Sequence, residues 1–248
     1  MTLIDDAFAA FVNLDSRPDR LEHMTAELER VGIDAVRRRG IHPSEWRGPA
    51  ATVRTMLGQT PGALGCWMAQ RGIMDEALSD GRHAFIMEDD LIFCADLHER
   101  IAIIDDFLDG RPWDVVWLGG TFHVNPAVWH ADTIGRDVQR TEHSRIVRTY
   151  GAFSTHAYIV RAGSIPKVAT MLDEQLEASV GIDTSFIAIQ PELDCYSFVP
   201  GCVIQRDDRS DIGTGTTIFS NFAKLGAHWW AEKMDDFDPD TYEWAEAR

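Results

Sequence analysis

The chain has 248 residues, enough for one large domain with a sizeable core, and carries 40 Asp and Glu against 23 Lys and Arg, a formal net charge of -17. That balance excludes nucleic acid and anionic membranes as main partners, since both select clustered Lys and Arg, but leaves an anionic small ligand open where a metal or local arginines offset the field. No apolar stretch is long enough to span a bilayer, and Met1 to Ala10 lacks a basic start followed by a long apolar core, so a soluble, cytoplasmic protein is expected.

Phe8 to Leu14 reads as a first buried strand running into the polar turn Asp15 to Asp19. A helix follows, with Leu21, Met24, Leu28 and Val31 on one face, Pro18 in its first turn and Gly32 as its stop. Strand, turn and helix in this order open a nucleotide-binding α/β layer. Arg17 and Arg20 flank the turn, placed either to face phosphate or a nucleobase edge, or simply to solubilise a helix start. Ala35 to Ile41 reads as a short edge strand ending at Gly40, its three arginines forming a solvated face. His42 to Gly62 is a loop rich in Gly and Pro, with room for a short helix over Ala51 to Leu57. Thr60 and Pro61 open a helix with the stripe Cys66, Ala69, Ile73 and Ala77, closed by Gly81.

Ala84 to Phe93 is the segment around which the rest is organised: an apolar run, three consecutive carboxylates, then an apolar run again. On a strand, side chains two apart share a face, so Glu88 and Asp90 are expected to converge and Asp89 to point away. Two buried carboxylates side by side need a proton or a cation. All-oxygen ligation favours Mg or Mn; the plain alternative is a solvated strand end.

Leu97, Ile101, Ile104 and Leu108 make a further amphipathic helix, closed by Gly110 and Pro112, and Trp113 to Leu118 a third buried strand, ending in Gly119 and Gly120, which permit close approach of backbone or ligand. The alternation to this point predicts a largely parallel sheet covered by helices on both faces. Thr121 to Arg148 reads as a long connection or an inserted hairpin, Ser154 to Val160 as a strand, Pro166 to Leu176 as a helix, and Tyr196 to Ile204 as another strand-like run. The domain is expected to span residues 1–225. Residues 226–248 form an acidic, Trp-containing tail that packs on the domain or on a second subunit, which leaves a homodimer open. Cys66, Cys94, Cys195 and Cys202 form no C-x-x-C pair and read as reduced, mostly buried thiols.

The ordered segments FVNLDSRPDRLEHM, GALGC, FIMEDD, WLGG, HAYIV, GIDTSF and QRDDRSDI, covering most of Phe11 to Ile212, resemble glycosyltransferase family 25, which includes bacterial lipooligosaccharide galactosyltransferases and collagen hydroxylysine galactosyltransferases. The resemblance implies a GT-A fold of the α/β class, a UDP-galactose or UDP-glucose donor, and inverting transfer, assisted by Mn, to a hydroxyl of a glycan acceptor, as in lipopolysaccharide-type synthesis. It implies Asp90 as the best metal ligand, Glu88 at the metal or the donor ribose, Asp89 at the sugar or bracing the loop, and Asn13, Leu14, Asp15, Arg17 and Arg20 at the nucleotide, a donor-facing set completed by Gly40 and Gln205. Ser210 and Asp211 belong to the closing motif, and Asp183 is implied near the acceptor or as the base, with helix capping as its alternative. His156 and His228 are candidates for a late metal-shell histidine, against the ordinary reading of core or tail residues. Where the family commonly has Ser-His, this sequence has Ala69 and Gln70, which suggests as a second reading a nucleotide-sugar or glycan binding protein without turnover. A metal-dependent phosphohydrolase is a third, and needs a second metal cluster.

Overall fold

The computed structural model describes residues 2–40, 61–121, 138–176, 181–199, 201–206, 208, 209 and 211. The expected short helix at 51–57, the tail from 226, His228 and Ser210 lie outside these residues. The strands are β1 (Ala7–Asn13), β2 (Val36–Arg39), β3 (His83–Glu88), β4 (Leu91–Phe93), β5 (Val115–Thr121), β6 (Val138–Arg140), β7 (Ile146–Thr149), β8 (Phe153–Val160), β9 (Cys195–Phe198) and β10 (Val203–Gln205). The helices are α1 (Pro18–Val31), α2 (Pro61–Asp80), α3 (Leu97–Leu108), α4 (Ile165–Gln175) and α5 (Ile182–Ile189).

Eight strands form one mixed sheet in the order β2-β1-β3-β8-β5-β9-β7-β6, while β4 and β10 pair as a separate two-stranded sheet. Only β8 and β7 run against the rest: β8 is antiparallel to both β3 and β5, and β7 to both β9 and β6. The class is thus α/β with a mostly one-directional sheet, as the sequence pattern predicts.

Strand alternation sorts the core into two layers. Phe85 and Met87 of β3, with Val116, Leu118, Ala157 and Ile159, face Met24 and Leu28 of α1 and Leu97, Ile101 and Ile104 of α3. Ala84 and Ile86, with Val115, Trp117, Tyr158 and Val160, face Trp67, Ile73 and Met74 of α2, Val168 of α4 and Phe186 of α5. Phe85, Ile86 and Met87 are fully buried, and each contributes about 1.5–3 kcal/mol. Helix α1 starts with Pro18 at its first position and stops at Gly32, whose φ of 68° is left-handed and whose N–H returns to the helix end.

Three expectations change. The buried stripe of α2 is turned toward Trp67, Gln70, Ile73, Met74 and Ala77, leaving Cys66 and Ala69 only partly buried, because the larger side chains claim the sheet surface. The run from Tyr196 to Ile204 is two strands in two different sheets. The strand expected to carry all three carboxylates ends at Glu88; Asp89 and Asp90 form a turn, so the strand rule that separates Asp89 from Asp90 does not reach them. Part of the 121–148 connection is indeed a hairpin, β6 with β7.

Candidate functional site

Asn13 ends β1, Glu88 ends β3, Thr155 lies near the start of antiparallel β8, and Asp183 stands in the first turn of α5. All four therefore come to the edge where the parallel strands end, the edge at which open α/β sheets bind ligands. There the carboxylates divide into two groups.

The first group is built on Arg20, which faces inward from the first turn of α1 and is buried. Its Nη1 donates to Asp89 Oδ1 at 2.9 Å and lies 2.9 Å from Asp90 Oδ2, its Nε donates to Asp208 Oδ2 at 3.1 Å, and its Nη2 to the Arg209 carbonyl at 3.0 Å. The amide of Asn13 donates to Asp89 Oδ2 at 2.7 Å, and that of Gln205 reaches both oxygens of Asp90 at 3.2 Å. Gln205 comes from β10, which pairs with β4 just beyond Asp90. Burial pushes the Asp90 carboxyl up to about 6 even though the Arg20 charge pulls it down.

Arg17 is not a bare surface charge either: it pairs with Asp19, with Asp208 at 2.6 Å and with the exposed Asp211. Asp15 is exposed and turned toward β2, where it takes Arg37 and Arg39, each at 2.6 Å. Arg38 pairs with Glu76 of α2, so the three arginines of β2 form ion pairs rather than a merely hydrated face. Gly40 donates its N–H to the Asn13 carbonyl at 2.8 Å and packs so closely on Leu14 that a Cβ would sit 3.0 Å from Leu14 Cδ2. Asn13, Leu14 and Gly40 are thereby one unit.

The second group has no basic side chain paired with it among the described residues. Glu88 Oε1 accepts from the Gln70 amide at 3.2 Å and lies 3.4 Å from Thr155 Oγ1, which also lies 3.1 Å from Asp183 Oδ1. One hydroxyl holds one proton, so Thr155 donates to one carboxylate at a time. Gln70 is fully buried, and Tyr158 donates to its Oε1 at 2.9 Å. Tyr158 is clamped in turn by Trp117 and Phe186, with ring centroids 5.2 and 5.0 Å away. Glu88 and Asp183 are both partly exposed. Removal from bulk water, then the charges of Asp90 and Asp183, hold Glu88 well above the usual carboxylate range, and burial raises Asp183. The helix-capping alternative for Asp183 falls away: Gly181 is the cap, and the Thr184 hydroxyl accepts its N–H at 3.1 Å.

Ser154, next to Thr155, has φ 75°, a left-handed conformation that costs a non-glycine residue about 1–2 kcal/mol. His156 points the other way, buried against Gly119, with neither ring nitrogen hydrogen-bonded and burial lowering it to about 4. A Cβ built on Gly119 would overlap His156 Nε2 and the Val203 carbonyl, so the close approach permitted by that glycine is to protein. The sequence pattern missed Thr155 and Tyr158 as members of the site; only their place two and five residues into a strand entering the ligand edge could have signalled them.

The donor chemistry fits a hard divalent ion of one kind. Among the described residues no three His, Cys, Asp or Glu side chains close a metal shell. Glu88, without a basic partner, and Asp90, already paired with Arg20, offer two oxygen-donor carboxylates, which suits an ion that keeps waters and takes ligand oxygens.

No protein-family model matches the chain, and neither does any functionally curated protein. The resemblance to family 25 therefore rests on its motifs. Among solved structures, the glycosyltransferase GlyE of Streptococcus pneumoniae TIGR4 aligns over 98% of this chain and 66% of its own, with 10% identity and a TM-score of 0.42. Its apo form aligns over 77% and 44%, with 13% identity and 0.36. A Bacillus anthracis protein assigned as a glucose-1-phosphate thymidylyltransferase, in complex with sucrose, aligns over 91% and 79%, with 9% identity and 0.38. The functional reading is therefore built on the site residues.

Proposed function

We propose that the chain is a metal-dependent, inverting glycosyltransferase of GT-A type, moving galactose or glucose from a UDP-sugar to a hydroxyl of a glycan. The observation that carries this reading is the pair of partly exposed carboxylates, Glu88 and Asp183, bridged by Thr155 at the ligand edge of the sheet with no basic partner among the described residues.

In this reading the turn from Asn13 to Arg17, backed by Gly40, receives the nucleotide. Arg20 is a scaffold, since its N–H groups are already taken by Asp89, Asp90, Asp208 and the Arg209 carbonyl. Arg17, whose partners include the exposed Asp19 and Asp211, is the guanidinium that can exchange a carboxylate for a phosphate. Glu88 and Asp90, steadied by Gln70 and Gln205, would hold the Mn or Mg ion, which when bound supplies Lewis-acid stabilisation of the leaving diphosphate. Asp183 takes the proton of the acceptor hydroxyl, and the raised proton affinity from its burial makes it the better base. The new bond forms from acceptor oxygen to anomeric carbon as the bond to the diphosphate breaks, so the configuration inverts.

Thermal stability with UDP, with and without Mn, followed by transfer assays with UDP-galactose and UDP-glucose, tests the reading. A Mn-dependent shift that Asp90→Ala abolishes is expected. Asp183→Asn should keep that shift and lose about 10²–10⁴-fold in transfer rate. Absence of any UDP shift would overturn the donor assignment. One observation favours the binding-protein reading: Gln70, at a position of the Ser-His departure, is buried and donates to Glu88. UDP binding with neither transfer nor donor hydrolysis would select it.

A further inference from the structure

Two cysteines that the proposed chemistry does not use flank the small sheet, Cys94 just after β4 and Cys202 just before β10. Its register pairs Leu91 with Gln205, Ile92 with Ile204 and Phe93 with Val203. The next pair outward is Cys94 with Cys202, and the Cys94 N–H donates to the Cys202 carbonyl at 2.9 Å. The Cys202 N–H donates to the Leu118 carbonyl, so this is the one backbone bond between them; opposed residues of antiparallel strands have Cα atoms about 4.5–5.5 Å apart, and a disulfide needs about 4.4–6.8 Å. The two thiols are also near enough for each to shift the proton affinity of the other.

The two sulfurs are not equivalent. Cys202 is fully buried and Cys94 partly exposed, so a reagent in solution reaches Cys94 first. The neighbouring Cys202 thiol, helped by the charge of Arg100, lowers the proton affinity of Cys94, while Cys94 and burial raise that of Cys202. Arg100 itself is fastened between Asp96, at 2.9 Å, and the Gly201 carbonyl, at 3.1 Å, so it spans the two segments carrying the cysteines.

We propose that Cys94 and Cys202 form a thiol-modification site, closed reversibly into an intrachain disulfide by a low-molecular-weight disulfide such as oxidised glutathione. The Cys94 thiolate attacks one sulfur of the reagent; the reagent's S–S bond breaks, and one glutathione leaves and takes up a proton. Cys202 then gives up its proton and attacks the Cys94 sulfur, expelling the second glutathione. Two protein thiols are oxidised by two electrons in total, and one glutathione disulfide is reduced to two thiols. The bond staples β4 to β10 at the end of the ladder opposite Asp90 and Gln205.

The test incubates the full chain in mixtures of reduced and oxidised glutathione, traps free thiols by alkylation and maps linked peptides by mass. The expected product is a Cys94–Cys202 linked peptide that dithiothreitol removes, with a melting temperature several degrees above the reduced form. Cys94→Ser, at the partly exposed position, should fold and lose both the link and the shift; Cys202→Ala should stop at a glutathione adduct on Cys94. The wild-type peptide map depends on neither variant. A persistent Cys94 adduct without the link in wild type, a link through Cys66 or Cys195, or no thiol consumed in the oxidising mixture would each overturn the proposal.

Discussion

Asp89 and Asp90 meet a buried guanidinium, whereas Glu88, one residue upstream, meets an amide, a hydroxyl and, through that hydroxyl, a second carboxylate. Three adjacent acids of one sequence thus occupy two environments, one balanced in charge and one in deficit. The difference comes from where β3 stops. Glu88 keeps the face of Ala84 and Ile86 and points to the α2 side, while the turn that follows swings its two neighbours toward α1. A balanced cluster holds structure together; a cluster in deficit is available to a proton, a cation or a substrate.

Removing the balance is the most damaging test. Arg20→Met leaves two buried carboxylates without their cation, and a loss of about 3–5 kcal/mol is expected in denaturant titration. Asp89→Asn, which keeps the shape and removes one charge, should cost about 2 kcal/mol. If both variants matched wild type, the contrast between the groups would collapse. His156 extends it to a third buried group, one that faces no opposite charge. Its folded value near 4 lies below the ordinary 6.5, so the unfolded chain binds the proton more readily and stability falls with pH: about 2 kcal/mol between pH 7 and 5. His156→Leu should remove that slope, a comparison made by unfolding at the two pH values.

On the deficit side the sign reverses. In the presence of a chelator, Glu88→Gln should stabilise the fold by about 1 kcal/mol, since it removes one of several mutually repelling carboxylates. A destabilisation comparable to that of Asp89→Asn would show that Glu88 is balanced after all. The smallest effect is expected at the backbone beside Thr155, where Ser154→Gly should gain up to about 1 kcal/mol by relieving the left-handed conformation. The gain comes with looser placement of Thr155, visible as reduced amide protection there.

Much of the frame was legible because it obeys local periods. Leu28 and Val31 before Gly32, Pro18 at the first helical position, and Ile101, Ile104 and Leu108 before Gly110 locate α1 and α3 without tertiary information. The direction of β8 was not legible, since alternation reads the same forwards and backwards. The break between β9 and β10 carried a signal in Pro200 and Gly201, yet the apolar residues on both sides read as one run. Within the site, Glu88 stood out as a carboxylate in apolar surroundings, whereas Asp183 was marked only by the resemblance to family 25. The roles of Gln70 and Thr155 depend on a contact across 85 positions of chain, which no local pattern encodes.

The placement of β8 also bears on the order in which the molecule can be made. β1, β2 and β3 are neighbours in space, so this N-terminal part can pair while the rest is still being synthesised. β3 and β5 never touch in the sheet; the strand between them is encoded about 30 positions after β5 ends, so until the ribosome has passed Val160 the two halves have no strand to join them. A nascent chain stalled before β8 should expose the facing edges of β3 and β5 to chaperones, and one stalled after α5 should not. Glu88 waits on the early half, and the cluster around it is complete only when Thr155 and Asp183 arrive from the late one.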